Sequence, residues 1–427
     1  MHRLMAVILL FCMLVSMLSA CSSDAREIDD LAYIVAIGIE KGVTDKGRLT
    51  VEFPTMHDQT SGGTSVSTGS STGGQGGYET VTVDAPSFYA GMDLLDTIMP
   101  RHINFQHIKF IVISEELARS GLVGEFLAPL IRFREVRRTT NVLVSRCSPM
   151  DFLKANKPLI GSAASKAMDD LLAAPSDTGY FPLVSLNDFY DDLKATYNQP
   201  IATLASLNTD NNFKQQGSKW GTEFKPAGEE YAGEIPKTGG SKIELFGTAV
   251  FDGDMMVGEL NGEETRLMLM ARGEYENGKF TIQDPEKPEL VVPLEIRPAR
   301  KPEIKIKLQN DKPIINLTLY LEGDILAIQS RINYESKDLK PLLEKSFEAY
   351  IKTRLDNLMG KCKTLKADVF KFGFVAARQF FTIQEWEKYN WISQFEKAEI
   401  NTNVRFVIRR TGTMMRSSHI ITTKGKE

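Results

Sequence analysis

The chain begins with a short apolar segment that ends at a cysteine. Arg3 gives it a basic start, residues 4–18 are almost all apolar, and Leu18-Ser19-Ala20 then precede Cys21. This pattern is typical of a bacterial lipoprotein signal peptide, which is removed before the cysteine so that its thiol can carry lipid. A membrane-spanning helix, the alternative, needs about 20 apolar residues. We therefore predict that Cys21 becomes the lipidated first residue of the mature chain.

Removal of residues 1–20 would leave residues 21–427, which is enough for two or three domains of about 150 residues. The rest of the sequence has no apolar stretch long enough to span a bilayer. The 51 basic and 55 acidic residues nearly balance, which argues against nucleic acid as a partner. We therefore expect a folded body that lipid holds at a membrane surface.

Strand and helix patterns alternate along the chain and predict an α+β fold. Residues 21–207 are expected to form an N-terminal α+β domain, with β-branched runs at 31–39 and 49–53 typical of a strand pair. Segment 60–77 is nearly all Gly, Ser and Thr, and it is predicted to be a loop because it has too few apolar residues to enter a core. It lacks the lysine that a phosphate-binding loop requires.

The remaining residues divide into four expected parts. Residues 208–240 are polar and are predicted to be a linker, and residues 241–301 are predicted to be a small middle domain. Residues 302–412 are expected to form a C-terminal domain of a sheet covered by helices, followed by a tail at 413–427. The expected architecture is therefore three mixed α/β domains in series, with sheets flanked by helices.

Apolar spacing predicts the helices of the second half of the chain. A short amphipathic helix is expected at 263–270, and a long one at 339–359 that ends before Gly360. Phe370, Phe374, Ala377 and Phe381 have helical spacing, so a second covering helix is expected at 370–381.

The sequence has no arrangement typical of a catalytic or metal centre. His102 and His107 are five residues apart, whereas two histidine ligands on one helix are four apart. Asp188, Asp191 and Asp192 are more typical of a solvated helix face. We therefore predict no enzymatic activity, no metal and no cofactor.

Two cysteines remain once Cys12 has left with the signal peptide and Cys21 has received lipid. Cys147 and Cys362 are far apart in sequence, which says nothing about their distance in space. The sequence leaves open whether they form a disulfide or stay as buried free thiols.

Two further clusters each have two interpretations. A basic run contains Arg132, Arg134, Arg137 and Arg138. It fits the solvated edge of a helix, or a contact with anionic lipid at about 1 kcal/mol per charge. Trp386, Trp391 and Phe395 fit the packing of a helix on its sheet, or a docking surface for a partner, where aromatic residues are common.

A series of short motifs occurs in order from Cys21 to residue 412. They are Arg26-Glu27-Ile28-Asp29-Asp30-Leu31-Ala32, Ile37-Gly38-Ile39, the Gly/Ser-rich segment, His107-Ile108-Lys109, Ile113-Ser114-Glu115-Glu116-Leu117-Ala118, Phe246-Gly247-Thr248-Ala249-Val250-Phe251, Leu260-Asn261-Gly262-Glu263-Glu264-Thr265-Arg266, Asn401-Thr402-Asn403-Val404 and Ile408-Arg409-Arg410-Thr411-Gly412. In this order they resemble the Ger(x)C family of spore germination lipoproteins, the C subunits of nutrient germinant receptors. The polar segment 208–240 is long for that family.

The resemblance implies a three-domain mixed α/β protein on the outer face of the spore inner membrane. It implies integral-membrane A and B receptor subunits as partners, one of them similar to amino-acid transporters and the expected place of nutrient binding. The family supplies no catalytic or cofactor residue, and only the role of Cys21 as the lipid site carries over. The expected function is a non-catalytic subunit needed for nutrient-triggered germination. The alternative is a solute-binding lipoprotein of a transport system, which would need two similar lobes around a cleft.

Overall fold

The structure, a computed structural model, describes residues 3–5, 30–55, 77–157, 164–209, 224–309, 312–418, 420–423 and 425–426. Cys21, its lipobox and nearly all of the predicted Gly/Ser-rich loop lie outside these ranges. Among the described helices, none combines the length and the apolar character required to cross a bilayer.

The first large sheet draws its strands from residues 36–260. The strands of this half of the chain are β1 Leu31–Tyr33, β2 Ala36–Lys41, β3 Gly47–Pro54, β4 Tyr78–Ala85, β5 His102–Asn104, β6 Phe110–Ser114, β7 Asn141–Ser145, β8 Ile201–Leu207, β9 Ile243–Asp252 and β10 Met255–Leu260. Eight of them form one sheet in the order β10-β9-β8-β7-β6-β2-β3-β4, while β1 and β5 form a separate parallel pair. The four central strands, β8, β7, β6 and β2, are parallel, and the outer pairs are antiparallel to their neighbours.

Helices cover both faces of this sheet. They are α1 Phe88–Ile98, α2 Glu115–Ala118, α3 Val123–Arg132, α4 Pro149–Lys154, α5 Ala164–Ala173, α6 Pro175–Thr178 and α7 Leu186–Asp192. Because side chains alternate along a strand, Ile111 and Ile113 enter one apolar core and Phe110 and Val112 enter the other. Burial on both faces explains why β6 is an uninterrupted apolar run. Ser114 caps α2, because its side chain accepts a hydrogen bond from the Leu117 N–H.

The second large sheet has five strands. They are β11 Gly278–Gln283, β12 Val291–Pro298, β13 Glu303–Gln309, β14 Lys312–Ile325 and β15 Glu399–Arg410, and a short pair in the tail is β16 Ile421–Thr422 and β17 Gly425–Lys426. The long strand β14 pairs with β12 and β13 along one side and with β15, in parallel, along the other. Side chains of β15 alternate between its two faces, since Val404, Phe406 and Ile408 are buried and the residues between them are exposed.

Five helices complete this half of the chain. They are α8 Gly262–Arg272, α9 Lys340–Thr364, α10 Phe372–Ala376, α11 Ile383–Tyr389 and α12 Trp391–Phe395. The helix α9 packs against β15, with 4.4 Å between the ring centroids of Phe347 and Phe406. The prediction of a mixed α+β fold with sheets flanked by helices is confirmed.

Residues 241–301, expected to form a small middle domain, divide their strands between the two large sheets. The hairpin of β9 and β10 pairs with β8 and so extends the first sheet. Strands β11 and β12 join β14 in the second. The place of this hairpin in a sheet depends on pairing with a distant strand, which local pattern does not specify.

The helix pattern at 263–270 was correct in position and wrong in character. We expected an amphipathic helix, but nearly every residue of α8 is buried. The reason is that α8 lies between the first sheet and α9, so it has no broad face in contact with water.

Two helix predictions near the carboxyl terminus were also wrong in extent. The long helix passes through Gly360 and ends at Thr364, since Cys362 continues its buried face. Packing of this face outweighs the loss of helix propensity at one glycine, which is about 1 kcal/mol. The second helix, expected at 370–381, is broken into the short α10 and a 3-10 turn. Phe381 is 99% exposed and does not continue a buried face.

The described part of the predicted linker, residues 224–240, has no helix or strand, yet it packs on the folded body. The Ala232 N–H donates to the Phe246 carbonyl at 3.1 Å, and the Glu263 N–H donates to the Gly228 carbonyl at 2.7 Å. Arg146 also donates to the carbonyl of Ala232 at 2.9 Å. These bonds fix the segment against β9 and α8.

Candidate functional site

The expected lipid site, Cys21, lies outside the described residues, so the structure adds no geometry there. In the described ranges, no group of three or more His, Cys, Asp or Glu side chains is placed to hold a metal ion. His107 packs edge-on against Tyr33 with 4.8 Å between ring centroids. Asp188 and Asp191 accept hydrogen bonds from Ser185 and Asn187 of the same helix segment, so they stabilise α7 locally.

The two remaining cysteines are both free thiols. Cys362 is buried in α9, and burial raises the pKa of its thiol. Cys147 is partly exposed, and burial again raises the pKa of the thiol. A raised pKa leaves little thiolate at neutral pH, so neither cysteine has the character of a reactive nucleophile.

The aromatic cluster near the carboxyl terminus belongs to the core. Trp391 is 1% exposed, and Trp386 and Phe395 are buried with it. The indole N–H of Trp391 donates to Asp368 at 2.8 Å. Of the two interpretations that the sequence left open, core packing is the one observed.

The helix α8 connects the two halves of the molecule. We call the contacts that its residues Glu263 and Arg266 make with both halves the sheet junction. Asn261 caps α8, because its side chain accepts from the Glu264 N–H at 2.8 Å and Glu264 accepts from the Asn261 N–H at 2.9 Å. This reciprocal pair is a capping box. Gly262 is required here, since a Cβ would lie 2.3 Å from the Phe246 ring.

Glu263 is the buried acid of the sheet junction, with 4% of the residue exposed. It accepts hydrogen bonds from Tyr350 and Arg354, both on α9. Burial raises the pKa of Glu263, although both partners oppose the shift. Arg354 also pairs with Glu229 at 3.2 Å, so one guanidinium links α8, α9 and the 224–240 segment.

Arg266 is the buried base of the sheet junction. Its guanidinium donates to the carbonyls of Thr178 at 2.6 Å and Lys279 at 2.9 Å, and it lies 3.6 Å from the ring centroid of Tyr180. Burial lowers the pKa of Arg266. Since Thr178 belongs to the first half and Lys279 to the second sheet, this side chain fixes one half against the other.

A second buried acid, Asp368, also joins the two halves. Its carboxylate accepts from the N–H groups of Phe370, Phe372 and Gly373 at 2.8 to 3.3 Å. The Asp368 N–H donates to Gln199, two residues before the start of β8. Burial raises the pKa of Asp368, and the donors to its oxygens act against that shift. These donors also explain why the chain turns here instead of continuing as a helix.

A cleft of about 950 Å³ opens beside Glu263. Its lining includes Lys225 and Glu229 from the packed segment, Ile282 from β11, and Tyr350 and Arg354 from α9. Charges of both signs face this space, so its chemistry suits a small polar molecule or a polar segment of a partner.

Sequence reasoning missed the buried charges at Glu263, Arg266 and Asp368. Two of them stand in the motif from Leu260 to Arg266, which contributed to the family resemblance without a stated role. The available signal was the presence of charged residues inside an otherwise apolar helix pattern, which typically requires buried partners.

Two family models match most of the chain. Residues 24–207 match the spore germination protein N-terminal domain, and residues 246–412 match the model described as spore germination B3/GerAC like, C-terminal. The residues between the two matches include the polar segment predicted to be a linker.

Curated relatives match the chain over nearly its whole length. The putative spore germination protein YfkR of Bacillus subtilis (strain 168) is 24% identical over 426 residues, with 96% of each chain covered. Spore germination protein KC of the same organism is 24% identical over 419 residues, again with 96% of each chain covered. Spore germination protein B3 is 22% identical over 402 residues, covering 92% of this chain and 94% of the relative.

A crystal structure of the GerBC protein has the same fold. It matches with a TM-score of 0.52 at 17% identity, covering 87% of this chain and 96% of the other. None of these matched descriptions names an enzyme. The chain therefore belongs to the Ger(x)C family of spore germination proteins, the C subunits of germinant receptors.

Proposed function

We propose that this protein is the lipid-anchored C subunit of a nutrient germinant receptor on the outer face of the spore inner membrane. The observation that carries the proposal is the ordered match of the two germination models, which begins at residue 24 and ends at residue 412. The first match starts just beyond the lipobox cysteine, Cys21, so the anchor would be followed directly by the folded body.

The proposed role is non-catalytic assembly with the integral-membrane A and B subunits. Confinement by lipid raises the effective concentration of a subunit beside its partners, so modest interfaces suffice. The buried charges at the sheet junction favour such a role, because they hold the two halves of the body as one unit. A rigid body presents its contact surfaces in a fixed relation.

Deletion and replacement test the anchor. In a strain that lacks related C subunits, spores with Cys21→Ala should lose the protein from the membrane fraction and fail to lose optical density when nutrient is added. Cys147→Ala is the matched control, and it should leave both readouts unchanged. Membrane-held, fully responsive Cys21→Ala spores would contradict the anchor, and normal germination of the deletion strain would contradict the assignment itself.

Co-purification tests the partners. The lipidated protein, extracted from spore membranes in mild detergent, should bring two integral-membrane proteins with it in constant ratio. Recovery of the protein without them, under conditions that preserve other membrane complexes, would refute the proposed assembly.

The alternative of a solute-binding lipoprotein is favoured by one observation, the cleft beside Glu263. It also requires two similar lobes, whereas the two large sheets differ in strand number and order. Titration calorimetry against amino acids and sugars discriminates between the two functions. Tight binding that Arg354→Ala abolishes would favour the solute-binding alternative, and absence of heat would favour the receptor subunit.

A further inference from the structure

We propose that the amino-terminal edge of the parallel strands in the first sheet contacts anionic lipid headgroups. The contact is made by Arg132, Arg134, Arg137 and Arg138, which we call the arginine edge. This inference rests on the proposed function in one respect, since the lipid on Cys21 would bring this edge close to the bilayer. The arginine edge would be a second point of attachment beside the lipid, and two points of attachment would fix the orientation of the protein on the membrane.

The topology places the tether and the arginine edge side by side. Strands β2, β6 and β7 are adjacent and parallel, and their first residues, Ala36, Phe110 and Asn141, are paired in register. With strands about 4.8 Å apart, the entrances to β2 and β7 lie about 10 Å from each other. The segment before Ala36 leads back to the tether, and the segment before Asn141 contains the arginine edge. The tether and the arginine edge therefore enter the sheet at neighbouring points.

The length of the tether limits how far this edge can lie from the membrane. Nine steps along the chain separate Cys21 from Asp30, the first residue of the described body. A fully extended chain covers at most about 3.5 Å per residue, so the reach is about 30 Å. The edge that receives the tether therefore stays within about 30 Å of the membrane.

The four arginines are available for an external partner. All four are exposed, and within the described part of the chain none of their guanidinium groups takes part in an ion pair or side-chain hydrogen bond. Arg48, Arg297 and Arg354 differ from these four, because each of the three is held by a carboxylate.

Neighbouring carboxylates are occupied by the fold. Glu135, inside the basic run, accepts from the backbone N–H of Phe105 at 2.9 Å. Asp96 accepts from the N–H of Ile103 at 3.0 Å. These acids accept from backbone donors and do not pair with the arginines. Since Glu135 is the one acid within the run of four arginines, the run is net positive although the whole chain is net negative.

Two exposed apolar side chains belong to a segment that contacts the entrance to β8, the strand next to β7. Phe381 is 99% exposed and Ile383 is 71% exposed. Their neighbour Trp386 donates to the Thr196 hydroxyl at 2.9 Å, and Thr196 lies on the segment that enters β8, the next parallel strand. Aromatic and aliphatic side chains beside basic ones are typical of surfaces that rest in the lipid headgroup region.

Vesicle flotation tests the contact without the lipid anchor. The protein is prepared as residues 22–427; the described pairings and hydrogen bonds of the folded body all lie at or beyond residue 30, so this truncation leaves them intact. Vesicles contain 30% phosphatidylglycerol in phosphatidylcholine, or phosphatidylcholine alone, at low and at high salt. We expect binding to the anionic vesicles only, and weaker binding at high salt.

Two matched variants locate the contact. Changing the arginine edge to R132Q/R134Q/R137Q/R138Q should weaken partitioning to anionic vesicles by at least about 30-fold. K307Q/K397Q/R410Q/R416Q removes the same charge from exposed residues of the second half and should change partitioning less than about twofold. F381S/I383S should weaken binding by about fivefold or more. Circular dichroism checks that each variant is folded.

Equal losses in the two charge variants, or equal binding of the parent to both kinds of vesicle, would overturn the proposal. So would a parent protein that binds neither. If the arginine-edge variant then still impaired germination, the partner of this edge would be an acidic protein surface instead of lipid. The outcome is independent of the Cys21→Ala experiment, because the vesicle assay contains no lipidated protein.

Discussion

Arg354 in α9 donates a hydrogen bond to Glu263 in α8, with 2.6 Å between its Nη1 and the Oε2 of the carboxylate. This bond lies where α8, which connects the two halves, meets the long helix α9. Removing one member of a buried ion pair leaves the other charge without compensation, which costs more than the pair itself contributes.

Arg354→Ala should therefore lower the free energy of unfolding by about 2–4 kcal/mol. Urea unfolding followed by tryptophan fluorescence measures the change. Lys352→Ala is the control, because Lys352 and Asp356 form an exposed pair one turn apart on the same helix, worth about 0.5 kcal/mol. Equal effects of the two substitutions would show that the Glu263 pair does not stabilise the junction.

Glu52 should make the stability depend on pH. Burial raises the pKa of Glu52 to about 8, against the weaker opposing effect of Asn156. An acid whose pKa is raised in the folded state binds its proton more tightly there. Its stabilisation is complete below the unfolded pKa, near 4.5, and is lost as the pH rises towards 8.

Glu52→Gln should remove this dependence, because the amide is uncharged at every pH in the range. The wild type should lose about 1.4 kcal/mol per pH unit through this group between pH 5 and 8. The variant should therefore gain stability relative to the wild type as pH rises, which urea unfolding at pH 5, 6.5 and 8 measures. Parallel pH profiles for the two proteins would contradict the prediction.

Asp368 should be the most sensitive acid of the second half. Asp368→Ala leaves three backbone donors and the Trp391 indole without an acceptor, and each buried unpaired donor costs about 1–3 kcal/mol. We expect a loss of at least about 3 kcal/mol and an altered Trp391 emission. Asp338→Ala, at an exposed position, should change unfolding by less than about 0.5 kcal/mol. A comparable loss there would indicate a general effect of lost charge.

Glu344 and Glu348 should protect the outer edge of β15. Their carboxylates accept from the backbone N–H groups of Ile408 at 2.8 Å and Phe406 at 2.9 Å. E344A/E348A would leave these donors free to pair with another strand, so we expect concentration-dependent association in light scattering. K345A/K352A on the same helix should remain unassociated. Monomeric behaviour of the glutamate variant would show that the edge is protected by other means.

The sequence specified much of the local structure. The alternation of Val404, Phe406 and Ile408 determined which face of β15 is buried, because side chains on a strand alternate between its two faces. Ser114 marked the start of α2 because its hydroxyl can accept from an N–H of the first turn. The ordered motifs also indicated the family, to which the comparisons assign the chain.

Only the tertiary structure decided how distant segments combine. The hairpin of β9 and β10 joins the first sheet through a pairing with β8, and no local pattern names the partner of a strand. The burial of Glu263, Arg266 and Asp368 was equally hidden, since a charged residue enters a core only where a partner from elsewhere in the chain meets it. Periodicity depends on near neighbours in sequence, whereas strand order and buried charge depend on contacts between residues far apart in the chain.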